Sequence, residues 1–336
     1  MVEVDIEEIM SRLGPKTRKR VQAASEIDVE LIPTPSVAMN LALKGGIGLG
    51  RQTLFWGNKS SGKSSFCLQL VADAQKAGKV CAWVDVEHAF DPSWASRLGV
   101  DCERLIISEV KTTTDMTSVA VELMGAGVDL IVVDSITSLL PSSFFSKDLE
   151  MKDLENTKQI GGDARDMANA VRMINYANEN TAVVLISQIR NKIHTYGATP
   201  SPTGGEAVRF FSSTCVKLTS SAREADQISG DVYVGDKIFK QPVGRPVHWL
   251  VEFNKLGPPN QSGDYDFYYD GPEIGVDVIG ETLDLADKFG VVEHKAKTSW
   301  YTIDGVKVQG RASVVDMLKA DKALYERIVK ELNEQI

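Results

Sequence analysis

A chain of 336 residues with 43% hydrophobic and 25% charged residues is too long for the commonest single-domain size and too apolar to be mainly disordered. A large core with smaller attachments is expected. The formal charge of −9 excludes a uniformly basic surface, so any nucleic-acid site must be local.

In chain order, residues 3–25 place Ile6, Ile9, Leu13, Val21 and Ala24 among charges, with Gly14-Pro15 interrupting and Lys16, Arg18, Lys19 and Arg20 clustered. Two short amphipathic helices are expected, forming an arm. The acids in MVEVDIEEIM stand where a secretory signal needs positive charge, and no stretch approaches a membrane span. A cytoplasmic protein with no membrane partner is expected. Pro33-Thr34-Pro35 ends the arm, because proline disfavours helix in the residue before it.

From Arg51 onward, apolar runs alternate with helix-length segments: Thr53–Trp56, Val80–Val84, Leu130–Val133 and Ala182–Ile186. That alternation implies parallel strands with crossover helices on both faces, an α/β core. Thr214–Thr219, Asp231–Val234 and Val247–Phe253 read as further strands extending the sheet. After Gly271-Pro272 the texture turns helical, then Ser299–Ile303 and Val306–Val308 flank Asp304-Gly305 as a hairpin, and helices return from Ala312 to Gln335. The organisation expected is an arm over residues 1–32, a core over 33–272 and a small α+β domain over 273–336. The four cysteines, Cys67, Cys81, Cys102 and Cys215, show no metal-ligand spacing and read as reduced, mostly core thiols.

The chemistry concentrates at strand ends. Gly57-Asn58-Lys59-Ser60-Ser61-Gly62-Lys63-Ser64 fits GxxxxGK[ST] between a strand and a helix. In such a loop the glycines let backbone amides face a β-phosphate, Lys63 adds charge at the β/γ bridge and Ser64 can ligate Mg²⁺. Asp134 ends Leu130–Val133 at the carboxyl edge of the sheet, where an acid can orient Mg²⁺ and its water. Asp85 and Glu87 follow Val80–Val84, and the alternation of side chains puts both on one side with Glu87 further into the cleft, as general base. Gln188 ends Ala182–Ile186, where its amide can hydrogen-bond a γ-phosphate.

Together, GNKSSGKS (57–64), VDVEHAFDP (84–92), IVVDS (131–135), SQIR (187–190) and TGG (203–205) resemble the bacterial RecA family from about Pro33 to the C-terminus, with the arm poorly matched. The resemblance implies a RecA-type P-loop ATPase core with a mostly parallel central sheet, a short N-terminal helical arm and a small α+β C-terminal domain. It implies an ATP-dependent recombinase that forms a helical homo-oligomeric filament on single-stranded DNA and pairs it with duplex DNA. Its cofactors would be ATP and Mg²⁺. Nucleotide contacts fall on Gly57, Ser60, Ser61, Gly62, Lys63, Ser64, Ser65, Asp91, Trp94 and Asp134, with Trp94 stacked on adenine. Catalysis falls on Glu87, Lys63, Gln188 and Lys255, and Mg²⁺ on Ser64 and Asp134. Two segments match the DNA loops, Phe144 to Gln159 and Ile189 to Ala207. DNA contacts then fall on Arg165, Arg172, Arg190, Lys192, Ile193, Gly204, Gly205 and Arg209; Arg165 and Arg172, seven residues apart, share a helical face. His194 and Tyr196 belong to the same second loop.

The departures are specific. The family presents two lysines that reach the neighbouring protomer's γ-phosphate; Phe253-Asn254-Lys255 keeps one, Lys255. Segment 226–240 has no match, and the family's acidic tail is missing. A divergent member, such as a viral one, fits these features. A hexameric helicase would share the phosphate-loop residues but not EHA or the TGG loop; an ATP-binding assembly or regulatory protein without strand exchange is the other alternative, set apart by whether single-stranded DNA stimulates the ATPase.

Overall fold

The computed structural model describes residues 6–18, 21–141, 144, 162–190, 201–204, 206–221, 223–234, 237–271, 273–295 and 298–334. Helices α1 (Ile6–Ser11) and α2 (Pro15–Arg18) bury no residue. Strand β1 (Leu31–Ile32) pairs antiparallel with β2 (Ile47–Gly48) around helix α3 (Val37–Leu43). Ser36 starts that helix, its Oγ accepting the Met39 amide at 3.0 Å.

The main sheet begins with β3 (Gln52–Gly57), followed by α4 (Lys63–Lys76), β4 (Cys81–Asp85), α5 (Pro92–Arg97), β5 (Leu105–Glu109), α6 (Thr113–Gly125) and β6 (Leu130–Asp134). It continues through α7 (Gly162–Ala177), β7 (Ala182–Arg190), β8 (Ser201–Pro202), α8 (Glu206–Phe211) and β9 (Thr214–Thr219). Six strands lie parallel in the order β9-β3-β7-β6-β4-β5. Phe55, Trp83, Val132 and Val184 pack with α4 on one face, and Leu54, Val84, Ile131 and Leu185 pack with α6 and α7 on the other. Burial on both faces explains why these strands read as continuous apolar runs. Strand β5 was not anticipated, because it is a five-residue edge strand whose Ile106 and Ile107 remain 41% exposed.

Past β9, strands β10 (Ile228–Val234), β11 (Lys237–Asn254), β12 (Gln261–Tyr268) and β13 (Gly275–Val276) add to the sheet antiparallel. Strand β11 is 18 residues long, far beyond the expected Val247–Phe253. Its first half pairs with β10 alone, so Ile228–Val234 and the start of β11, which cover most of the unmatched segment, form a two-stranded ribbon. Strand β12 escaped notice because QSGDYDFY mixes polar residues with buried Tyr265 and Phe267. The sheet reaches Val276, past the Pro272 at which the sequence places a boundary.

The chain then forms α9 (Val278–Lys288), a three-stranded sheet of β14 (Glu293–His294), β15 (Trp300–Ile303) and β16 (Val306–Gln309), and helices α10 (Arg311–Ala320) and α11 (Lys322–Glu334). Asp304 and Gly305 have φ of +52° and +77°, the two positive values a two-residue hairpin turn demands. A separate apolar cluster of Leu283, Ile303, Val314, Leu318 and Ile328 holds this part together. It joins the core through Glu281, whose carboxylate accepts the Ser36 hydroxyl at 2.6 Å and the Val37 amide at 2.7 Å.

Candidate active site

The sheet register sets the site. Gly57 pairs with Gln188, and Asp85 pairs with Asp134, so parallel strands deliver the phosphate loop, both acids and the amide to one carboxyl edge. A cavity of about 330 Å³ lies there, lined by Lys59 through Ser65, Glu87, Asp134, Ser135, Ile186, Gln188 and Arg245. Gly57 must be glycine, since a Cβ would stand 1.9 Å from the Leu218 carbonyl oxygen. Gly62 has φ of +85° and is the residue from which α4 starts.

Lys63 is buried at 6% exposure. Its ammonium donates to the carbonyls of Asn58 at 2.7 Å and Gly57 at 3.2 Å, and to Ser61 Oγ at 3.3 Å. The loop thus closes on its own cation. Burial pushes the Lys63 pKa down, against the attraction of Asp134 and Glu87. Burial likewise pushes the Asp134 carboxyl up to about 6, opposed by the Ser64 hydrogen bond and helped by Glu87 and Asp85 nearby.

Glu87 is exposed, and its Oε1 accepts from Ser135 Oγ at 2.5 Å, Gln188 Nε2 at 3.2 Å and Ser138 Oγ at 3.3 Å. Asp85 is 5% exposed and its carboxylate accepts the Ala89 and Phe90 amides at 3.3 and 3.0 Å. One acid is held at the cavity and the other fastens the turn that presents it. The Gln188 backbone amide donates to Thr137 Oγ1 at 2.9 Å, and its carbonyl accepts the Thr203 amide at 3.2 Å and hydroxyl at 3.1 Å.

Trp94 lies partly buried against the core, its indole donating to Ser65 Oγ at 3.2 Å and Arg97 lying 5.3 Å from its ring. Asp91 caps α5, accepting the Ser93 amide at 2.8 Å. Neither lines the cavity. Lys255 is exposed outside it, with Nζ 3.3 Å from the Phe210 carbonyl. Arg245 does line it and was missed, since a lone arginine between Gly244 and Pro246 belongs to no motif. Ser135, Thr137 and Ser138 were missed as well; only their position just after Asp134 could have drawn attention.

The family model for the RecA N-terminal domain matches residues 1–272. Protein RecA of Chloroherpeton thalassium is 34% identical over 98% of this chain and 88% of that protein. Those of Chlorobium chlorochromatii and Chlorobium limicola are 34% and 35% identical over 98% and 92% of this chain, and 89% and 83% of theirs. The chain belongs to the RecA family. As a RecA-family protein it is a DNA recombinase with DNA-dependent ATPase activity. The match begins at residue 1, which corrects the expectation that the arm lies outside the resemblance.

The RecA-type DNA residues are placed unequally. Arg165 and Arg172 are both exposed on α7, whose Met167, Ala170, Val171 and Ile174 face the core. Arg172 lies 5.7 Å from the Phe211 ring. Arg209 turns inward, 3.1 Å from Glu252 and 5.9 Å from the Phe253 ring. Gly204 has φ of +98°, and a Cβ there would meet Val208 at 2.7 Å, so it is wedged between α7 and α8. Lys192, Ile193, His194, Tyr196 and Gly205 lie outside the described residues, as does most of the first loop; of Arg190 only the backbone, at the end of β7, is described. Among the described residues no helix is long and apolar enough to cross a membrane.

Proposed function

We propose that the cavity at the carboxyl edge binds ATP with Mg²⁺, and that its hydrolysis is coupled to a helical filament of this protein on single-stranded DNA during homologous pairing with a duplex. The observation that carries the reading is Gln188. Its side chain donates to Glu87, while its carbonyl holds Thr203 beside Gly204. One residue therefore touches the base of the hydrolysis site and the root of a DNA loop.

The residues fit the nucleotide. Loop amides and Lys63 would meet the phosphates, and the Ser64 hydroxyl sits against the Asp134 carboxylate, the oxygen pair a magnesium ion needs. When bound, Mg²⁺ would be held by Ser64 and Asp134 and would supply positive charge that stabilises the phosphates. Glu87 aligns a water and takes its proton as the water oxygen bonds to the γ-phosphorus and the bond to ADP breaks. Ser135, Ser138 and Gln188 fix that carboxylate's direction.

Electron microscopy of the protein with single-stranded DNA and a non-hydrolysable ATP analogue should show open helical filaments, and pairing assays should yield joint molecules. Closed rings without pairing would overturn the reading. Gln188→Ala should retain ATP binding and lose stimulation by DNA.

A further inference from the structure

Strand β11 brings Arg245 to the phosphate cavity at the point where it begins to pair with β12. Gly244 permits this: it pairs with Tyr268, and a Cβ on it would stand 2.8 Å from the Phe267 carbonyl oxygen. The next residue, Arg245, pairs with Phe267 and aims its guanidinium at the phosphate loop. Its Nη1 donates to the Ser60 carbonyl at 2.5 Å, and the group lies 5.4 Å from the Tyr269 ring. Ser60 has φ of +61°, a left-handed conformation that is strained for a non-glycine residue. A charge-assisted hydrogen bond to its carbonyl offsets that strain.

The guanidinium is placed for more than bracing. It carries five donors in a planar fork suited to phosphate oxygens, and the Ser60 contact occupies one. The cavity it lines holds two other cations, Lys59 and Lys63, against Glu87 and Asp134. Lys63 and Arg245 share one pattern: each caps carbonyls of the loop that a polyphosphate would engage.

We infer that Arg245 is a phosphate-binding and loop-positioning residue of the nucleotide site, a cation supplied in cis by the root of the β10–β11 ribbon. The inference rests on the nucleotide reading above and extends it to a residue outside the phosphate-loop motif. The ribbon is tied to the same place: Tyr269 donates its hydroxyl to Gln227 at 3.2 Å, and Val243 accepts the Tyr269 amide at 2.9 Å. Phosphate binding at Arg245 would therefore be felt at Gln227 and Val243.

The test uses the full chain without DNA and two probes, Mg-ADP and inorganic pyrophosphate, titrated calorimetrically. Arg245→Gln should weaken both by about tenfold, the loss of one charge-assisted contact. Arg245→Lys, which keeps charge but not the fork, should recover part of the affinity. Unchanged pyrophosphate affinity in Arg245→Gln overturns the inference, whether or not ADP binding weakens, because the contact would then be to the nucleoside or to the loop alone. Lys63→Ala serves as the control for the site itself: failure of wild type to bind either probe, or full binding by Lys63→Ala, overturns the nucleotide reading and with it the role of Arg245.

Discussion

Replacing Glu281 by glutamine should remove a pH dependence from the joint between the C-terminal part and the core. Glu281 is 7% exposed on α9, with its carboxylate on Ser36 and Val37 at the start of α3. Burial pushes its pKa up to about 7 from 4.5, and Asp277 pushes the same way; hydrogen bonds from Ser36, Val37 and Ala38 pull against them. Tyr265 of β12 and Tyr325 of α11 feel its charge, and Asp266, Asp284 and Arg311 line the same 520 Å³ cavity. Between pH 4.5 and 7 the folded state holds this proton more tightly than the unfolded chain, so stability falls as pH rises and levels off above 7. At 1.36 kcal/mol per pH unit, integration from pH 5 to 8 gives a loss of about 2.5 kcal/mol. Asp134, pushed up to about 6, titrates in the same range, so the quantity to measure is the difference between wild type and Glu281→Gln. Hydrogen exchange of the Val37 and α9 amides at pH 5, 6, 7 and 8, corrected for intrinsic rates, reads opening of the joint. Glutamine should gain on wild type by about 2.5 kcal/mol across the series. A constant difference from pH 5 to 8 would refute the argument, because the carboxyl would then ionise alike in both states.

Four further outcomes concern the nucleotide and DNA residues. Lys63→Ala should abolish productive ATP binding, checked by fluorescent-nucleotide titration, because the loop loses the cation that bridges the phosphates. Glu87→Gln should bind ATP and DNA but hydrolyse about 10²–10⁴ times more slowly, leaving filaments that persist in turnover assays; wild-type turnover would mean another base. Arg165→Ala and Arg172→Ala should each lower the slope of log affinity for single-stranded DNA against log salt by about 0.7, measured by anisotropy with DNA-free ATP binding as the folding control. Arg209→Ala should leave that slope unchanged if its guanidinium stays with Glu252, where the structure holds it.

The sequence by itself determined the local chemistry and most of the parallel sheet. Apolar runs such as Leu130–Val133 can be buried on both faces only between helices, and GNKSSGKS has one common use between a strand and a helix. The Asp304-Gly305 turn was equally legible, since its positive φ values are a property of two residues. Alternation along the strand already favoured Glu87 as the acid further into the cleft, but tertiary structure alone decided what holds each acid. Asp85 and Glu87 are two residues apart and chemically alike, but the Ala89 and Phe90 amides claim one while Ser135 and Gln188 turn the other inward. It also decided that Arg209 pairs with Glu252, 43 positions away, and that Arg245 meets Ser60, 185 positions away. No periodicity encodes such pairings. They depend on strand register, a long-range outcome of packing the whole sheet, which sets the residues that meet at its edge.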